Sequence, residues 1–227
     1  MRLLTIIAMS ILFPSTLPVL AADAGFVSDF HINKADLSAT GSNPYFIVKP
    51  GYQCFYKSAN GDLTITVLNE TKLVDGVVTR IIEERENENG KIIEVSRNYF
   101  AISKKDKTVY YFGEDVDMYN TKGKITGHGG SWLAGVNGAK AGVQMPGIVK
   151  VGMKYYQEVA LEVAMDRAEV LSLTETLKVP AGDVSNVVKT VETSAVESGK
   201  GFKFYARGIG LLKDGDMQLV EHGYAKK

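Results

Sequence analysis

Three dipeptides suited to an abrupt reversal of the chain, Asp75-Gly76, Asn89-Gly90 and Asp214-Gly215, do most to limit what this sequence can fold into. Asp-Gly and Asn-Gly favour the two-residue hairpin because both positions tolerate a positive φ. Around them the chain alternates apolar residues with polar or β-branched ones, the period of a strand with one buried face. In the run 63–74, Leu63, Ile65 and Val67 alternate with Thr64 and Thr66. Runs 52–57, 77–86, 91–103 and 108–112 extend the pattern, with turns at Asn60-Gly61-Asp62 and Lys105-Asp106. It resumes in 168–179, 184–193, 202–206, 209–213 and 217–221, and Pro180-Ala181-Gly182-Asp183 separates the first two of these. Residues 156–167 are read as strand rather than helix because their neighbours are strands. These spacings predict an all-β fold, an antiparallel meander bent into a strongly curved sheet or incomplete barrel. The charged run Glu83-Glu84-Arg85-Glu86 reads as a solvated hairpin tip.

The first residues have another character. Arg2 precedes an apolar run over 3–13, Pro14 and Pro18 end it, and small residues follow at Ala21, Ala22 and Ala24. This pattern predicts a signal peptide over 1–21, with a second cleavage position after Ala24. The run is about half the roughly 20 apolar residues that a bilayer-spanning helix needs, so cleavage is favoured over a retained anchor. No cysteine lies beside the cleavage region, which argues against a lipid anchor. No second long apolar run follows, so no integral membrane segment is expected after cleavage. The expected location is periplasmic or secreted. Residues 22–42 read as a lead segment and 43–227 as a single β-rich domain. Cys54 is the one cysteine, so an intramolecular disulfide is excluded. Lys plus Arg number 26 and Asp plus Glu also 26, with no basic stripe, which sets aside nucleic-acid binding.

Several segments together resemble a family of bacterial extracytoplasmic β-rich proteins without an assigned function. They are Asn43-Pro44-Tyr45-Phe46, Lys49-Pro50-Gly51-Tyr52, the stretch Tyr111-Phe112-Gly113-Glu114-Asp115-Val116-Asp117, and Gly130-Ser131-Trp132-Leu133-Ala134-Gly135-Val136 with Gly138-Ala139-Lys140. Met145-Pro146, Val179-Pro180-Ala181-Gly182 and Tyr205-Ala206-Arg207-Gly208-Ile209-Gly210 complete the set. The sequence departs from the family at Cys54, where an aromatic residue is usual. The resemblance implies export and a β-rich fold, and it brings no activity with it.

Residues 113–147 interrupt the strand rhythm with many glycines and hold Trp132 and His128. Long irregular stretches inside a domain tend to be functional loops, and this one is expected to cross the open side of the sheet. Glu114, Asp115 and Asp117 offer hard oxygen ligands for a cation, but Tyr119 and Thr126 occupy positions where a calcium loop needs oxygen donors. A polar loop start is the favoured reading. Ser131 with His128 and Asp115, or another acid between Glu114 and Asp117, has the chemistry of a hydrolytic triad. Leu133 breaks the nucleophile-elbow pattern, and His31 and His222 lie far off in sequence. Neither a phosphate loop nor a dinucleotide fingerprint is present, so no cofactor is expected. Cys54 reads as a buried inert thiol. Trp132, with Tyr111, Tyr119 and Tyr155, suggests an aromatic-lined cleft, although a core plug is the favoured role for the tryptophan. The expected function is an exported non-catalytic module binding a small apolar ligand, a lipid or a protein partner. The alternatives are the Ser131/His128 hydrolase and a structural or assembly protein of the cell envelope.

Overall fold

A computed structural model describes residues 25–224, so the predicted signal segment and its two cleavage positions lie outside the described residues. The chain begins with a 3-10 turn (Lys34–Asp36), β1 (Leu37–Ser38) and a hairpin of β2 (Gly41–Asn43) and β3 (Phe46–Val48). The meander then runs through β4 (Tyr52–Lys57), β5 (Gly61–Val74), β6 (Val77–Glu88), β7 (Lys91–Ser103) and β8 (Val109–Tyr119). Short strands follow: β9 (Ile125–Gly127), β10 (Trp132–Leu133), β11 (Lys140–Met145), β12 (Lys154–Tyr156) and β13 (Glu158–Val159). The last part is β14 (Asp166–Val179), β15 (Gly182–Ser194), β16 (Gly201–Ala206), β17 (Gly210–Asp214) and β18 (Met217–Tyr224).

The expected all-β architecture is present. Thirteen strands pair in the order β12-β14-β15-β16-β17-β18-β4-β5-β6-β7-β8-β11-β13, and the sheet nearly closes into a barrel with one seam. Its two outermost strands, β12 and β13, are separated in sequence by Gln157 alone. β12 pairs with β14 at Tyr156–Arg167, while β13 pairs with β11 at Glu158–Ala141. The covalent chain therefore steps across the seam. Turn chemistry explains the long hairpins: Asp75 and Gly76 take φ values of 47° and 75°, and Asn89 and Gly90 take 51° and 73°. Two successive positive φ angles belong to the turn whose twist matches paired strands.

Three expectations need correction. Residues 156–167 are not one strand: only Glu158–Val159 is strand between β12 and β14, and the chain turns between Ala160 and Ala164. The run Glu83-Glu84-Arg85-Glu86 is not a hairpin tip, because β6 continues to Glu88 and turns at Asn89-Gly90. Nor do residues 113–147 cross the open side. β8 runs on through Gly113 to Tyr119, and β9, β10 and β11 pair in succession along its free edge. The glycine-rich segment is thus stitched into the wall. Gly113 makes this possible with a φ of 138°, and a Cβ there would lie 2.4 Å from the Trp132 carbonyl oxygen.

The β2–β3 hairpin is anchored to both sides of the barrel wall. The buried Asn43 donates from Nδ2 to the carbonyls of Lys107 (2.9 Å) and Pro146 (2.8 Å), and its Oδ1 accepts from Tyr45 N–H. On the far side, the Pro44 carbonyl accepts from Gly208 N–H at 2.7 Å. Phe46 lies edge-on to Phe100, Phe100 stacks on Tyr111, and Tyr111 meets the edge of Trp132. This aromatic chain joins the hairpin to the wall.

Gly113→Ala would force a strained φ and a clash with backbone that cannot rotate away. The expected loss is about 2–4 kcal/mol in urea unfolding; a loss under about 1 kcal/mol would show that β10 yields easily there.

Candidate functional site

Side chains alternate across a strand, so every second residue of the barrel wall points inward. On β4 these are Tyr52, Cys54 and Tyr56; on β5, Leu63, Ile65 and Val67; on β6, Ile82, Glu84 and Glu86; on β7, Glu94, Ser96 and Asn98. They surround a lumen in two connected parts. The first, about 250 Å³, has an apolar wall from β4, β5 and Ile82, with Phe46 and Ile47 of the β2–β3 hairpin and Ile209 and Leu211 opposite. The second, about 530 Å³, is lined by Glu114, Glu158, Asp166 and Glu192, and it reaches the exposed residues Gly129, Gly130, Glu162, Val163 and Val196. Phe46, Glu84, Glu94, Asn98, Glu114, Gln144 and Lys203 line both parts.

In the apolar part the tyrosine hydroxyls are occupied. Tyr52 donates to the Ile209 carbonyl at 2.8 Å and Tyr56 to the Leu211 carbonyl at 3.0 Å, so their rings serve as wall. Burial pushes the Cys54 thiol up from its ordinary range, which suits the inert thiol expected of it. In the acidic part the one base lining the lumen is Lys203, bonded to Glu192 at 2.8 Å and 3.6 Å from Asp214. Burial opposes the Lys203 charge, but Asp214 and Glu192 outweigh it and hold the ammonium protonated.

The other carboxylates are not so compensated. Burial, reinforced by Asp214 and Glu86 against a counter-pull from Lys203, pushes Glu84 up to about 7. Burial with Glu86 and Glu84 pushes Glu94 up to about 7. Burial with Glu84 and Glu94 pushes Glu114 up to about 8. Glu158 is raised well above its ordinary value by burial and Asp166, although its Oε1 accepts the Asp166 N–H at 2.8 Å. Desolvation disfavours the charged form, and each further carboxylate adds to that.

Alternation also divides the residues predicted from sequence. Glu114 faces the lumen, whereas Asp115 and Asp117 lie on the other face of β8. There Asp115 accepts from Lys72 Nζ at 2.7 Å and from Tyr99 Oη, while Asp117 bonds Arg97 at 3.2 Å. The three candidate ligands therefore do not converge, and the described residues contain no group of three His, Cys, Asp or Glu side chains that could hold a metal ion. Ser131 Oγ accepts from Val116 N–H at 2.8 Å, and His128 Nδ1 lies 2.8 Å from the Val116 carbonyl and 3.1 Å from Asp117. Among the described residues no side-chain hydrogen bond joins Ser131 to a histidine, so no nucleophile–base pair is assembled. Both side chains instead secure the strand edge. Tyr111 lines the acidic part of the lumen, with its hydroxyl donating to Asn98 Oδ1. Trp132 is buried in the wall and lines an outer groove with Leu161 and Val163, the latter shared with the mouth of the acidic part. Tyr119 and Tyr155 contribute to neither part of the lumen.

The residues that sequence reasoning missed are Glu84, Glu94 and Lys203. Their signal was positional: Ile82, Glu84 and Glu86 share one parity, and Glu94 shares that of Ser96, Asn98 and Phe100. No family model, curated protein or solved structure matches the chain. Among the described residues, no helix is long and apolar enough to cross a membrane.

Raised carboxylates mean that the folded chain binds protons more tightly than the unfolded one between about 4.5 and about 8. Stability should therefore be full below that window and fall as pH rises through it. The melting temperature is expected to drop from about pH 5 to about pH 8.5, and Glu84→Gln with Glu114→Gln should flatten that slope. A curve that rises across the window in calorimetry would contradict the assignment.

Proposed function

We propose that this chain is a non-catalytic extracytoplasmic binding module that holds a small, partly apolar ligand inside its barrel. The observation that carries this reading is the continuous lumen, lined by Phe46 and Ile47 of the β2–β3 hairpin in one part and reaching the surface at Gly129, Gly130 and Glu162 in the other. A packed barrel of this kind would fill its interior with side chains; here the two parts measure about 250 and about 530 Å³. Ligand sites commonly fall in the range of about 300–1,000 Å³, with mostly apolar walls and a few placed polar groups. Export is the part of the proposal that rests on the N-terminal segment, and the single cysteine and absence of nucleotide motifs agree with it.

Ile65 projects into the apolar part from β5, so Ile65→Trp would add bulk inside the lumen. Binding of a neutral solvatochromic dye such as Nile red should weaken at least about tenfold, or about 1.4 kcal/mol, while unfolding stays cooperative. Leu161→Ser, in the outer groove, should leave dye binding unchanged. Loss in the second variant and not in the first would place the binding surface outside the barrel.

A further inference from the structure

The two walls of the lumen differ in chemistry, and their junction specifies more than apolarity. Glu84, Glu94 and Glu114 line both parts, so acids stand directly beside the apolar surface of Leu63, Ile65 and Ile82. Lys203, the one base on the lining, is already engaged by Glu192 and Asp214. Among the described residues no lysine, arginine or histidine lies within salt-bridge distance of Glu84, Glu94 or Glu114. An ionised carboxylate taken out of water without a partner is costly, and a ligand bringing positive charge removes that cost.

A second, uncharged group asks for the same thing. Gln157, 4% exposed, lines the acidic part and donates from Nε2 to Glu192 Oε1 at 3.4 Å. Its Oε1 is buried with no donor. A buried amide oxygen left unsatisfied is destabilising, and an N–H group would answer it. A hydrated metal ion would leave the apolar wall unused. A quaternary ammonium would supply charge without N–H donors. A primary or secondary ammonium on an apolar chain or ring supplies all three.

We propose that the lumen binds a cationic amphiphile, an amine whose ammonium sits among Glu84, Glu94 and Glu114 while its apolar part lies against Leu63, Ile65 and Ile82. This rests on the lumen being the binding site. Glu84 faces Lys203, Asp214 and Glu86 as well as Glu94 and Glu114, and all these carboxylates compete for the same protons. An alkylamine stays protonated up to about pH 10, as a lysine side chain does. Affinity for the amine should therefore rise with pH as the lumen carboxylates ionise, whereas affinity for a neutral analogue should not.

The test is calorimetric titration of the full chain with octylamine, octanol, octanoate, octyltrimethylammonium and calcium chloride, at about pH 6 and about pH 8.5. Octylamine is expected to bind at least about tenfold more tightly than the others at the higher pH and to lose that margin at the lower. Glu84→Gln combined with Glu114→Gln should abolish the preference while octanol binding persists, which also shows that the variant is folded. Octanol or octanoate binding as tightly as octylamine, in a manner blocked by Ile65→Trp, would overturn the amine assignment and leave the lumen reading standing. Stronger binding of calcium than of octylamine would overturn it too. No binding of any octyl compound would overturn both.

Discussion

The sheet nearly closes on itself, and its two edge strands are joined across the seam by a single residue. Gln157 separates the two strands that terminate the sheet, and its N–H donates to the Asp166 carbonyl at 2.8 Å. Gly142 is the concession on the opposite side: a Cβ there would stand 2.4 Å from the Gln157 carbonyl oxygen, so β11 reaches the seam only without a side chain. Unpaired strand edges are the usual liability of open sheets, and near-closure leaves only the short β12 and β13 as edges. It also fixes which face is inside. Once the sheet is rolled up, every second residue faces a lumen with its own dielectric.

That enclosure turns an ordinary composition into an unusual electrostatic one. The chain balances its charges in number, yet their distribution across the wall is uneven. On the outer face of the β5–β8 strands, Arg97 lies 3.3 Å from Glu83 and 3.2 Å from Asp117, and Lys72 lies 2.7 Å from Asp115. These exposed or half-exposed pairs contribute little individually, since water already screens them. Inside, the same strands present carboxylates that Lys203 alone cannot neutralise. Asp115 and Glu114 show the contrast at neighbouring positions. Burial works against Asp115 too, but hydrogen bonds from Lys72 and Tyr99 outweigh it and hold that carboxyl below its ordinary value. Glu114 has no such cation and is pushed the other way.

The strands and turns were legible because local chemistry sets them. Runs such as 52–57 and 91–103 coincide with Tyr52–Lys57 and Lys91–Ser103, and the Asp75-Gly76 and Asn89-Gly90 turns took the positive φ angles their residues tolerate, whereas at Asp214-Gly215 only the glycine does and Asp214 still belongs to β17. What was hidden depended on closure. Glu84 and Arg85 look alike on the page, and only a barrel makes one internal and the other external. The glycines of 113–147 suggested an irregular crossing. Their purpose at Gly113 is close backbone approach, which depends on a partner strand distant in space rather than on any neighbour in sequence. Asn43 gave no sign of its anchoring role because its acceptors are the carbonyls of Lys107 and Pro146.

The β2–β3 hairpin carries a kinetic implication of its own. Asn43 must find acceptors 64 and 103 residues further along the chain, and Pro44 must meet the amide of Gly208. Contacts that close such long loops form late, after the local hairpins that create their partners. The hairpin, among the first segments synthesised, therefore docks only once those distant residues are in place. Until it does, the lumen lacks Phe46 and Ile47 from its lining. Docking then sets Phe46 and Ile47 beside Glu84, Glu94 and Glu114, which favours their uncharged forms, so the interval before it is when they are most readily charged.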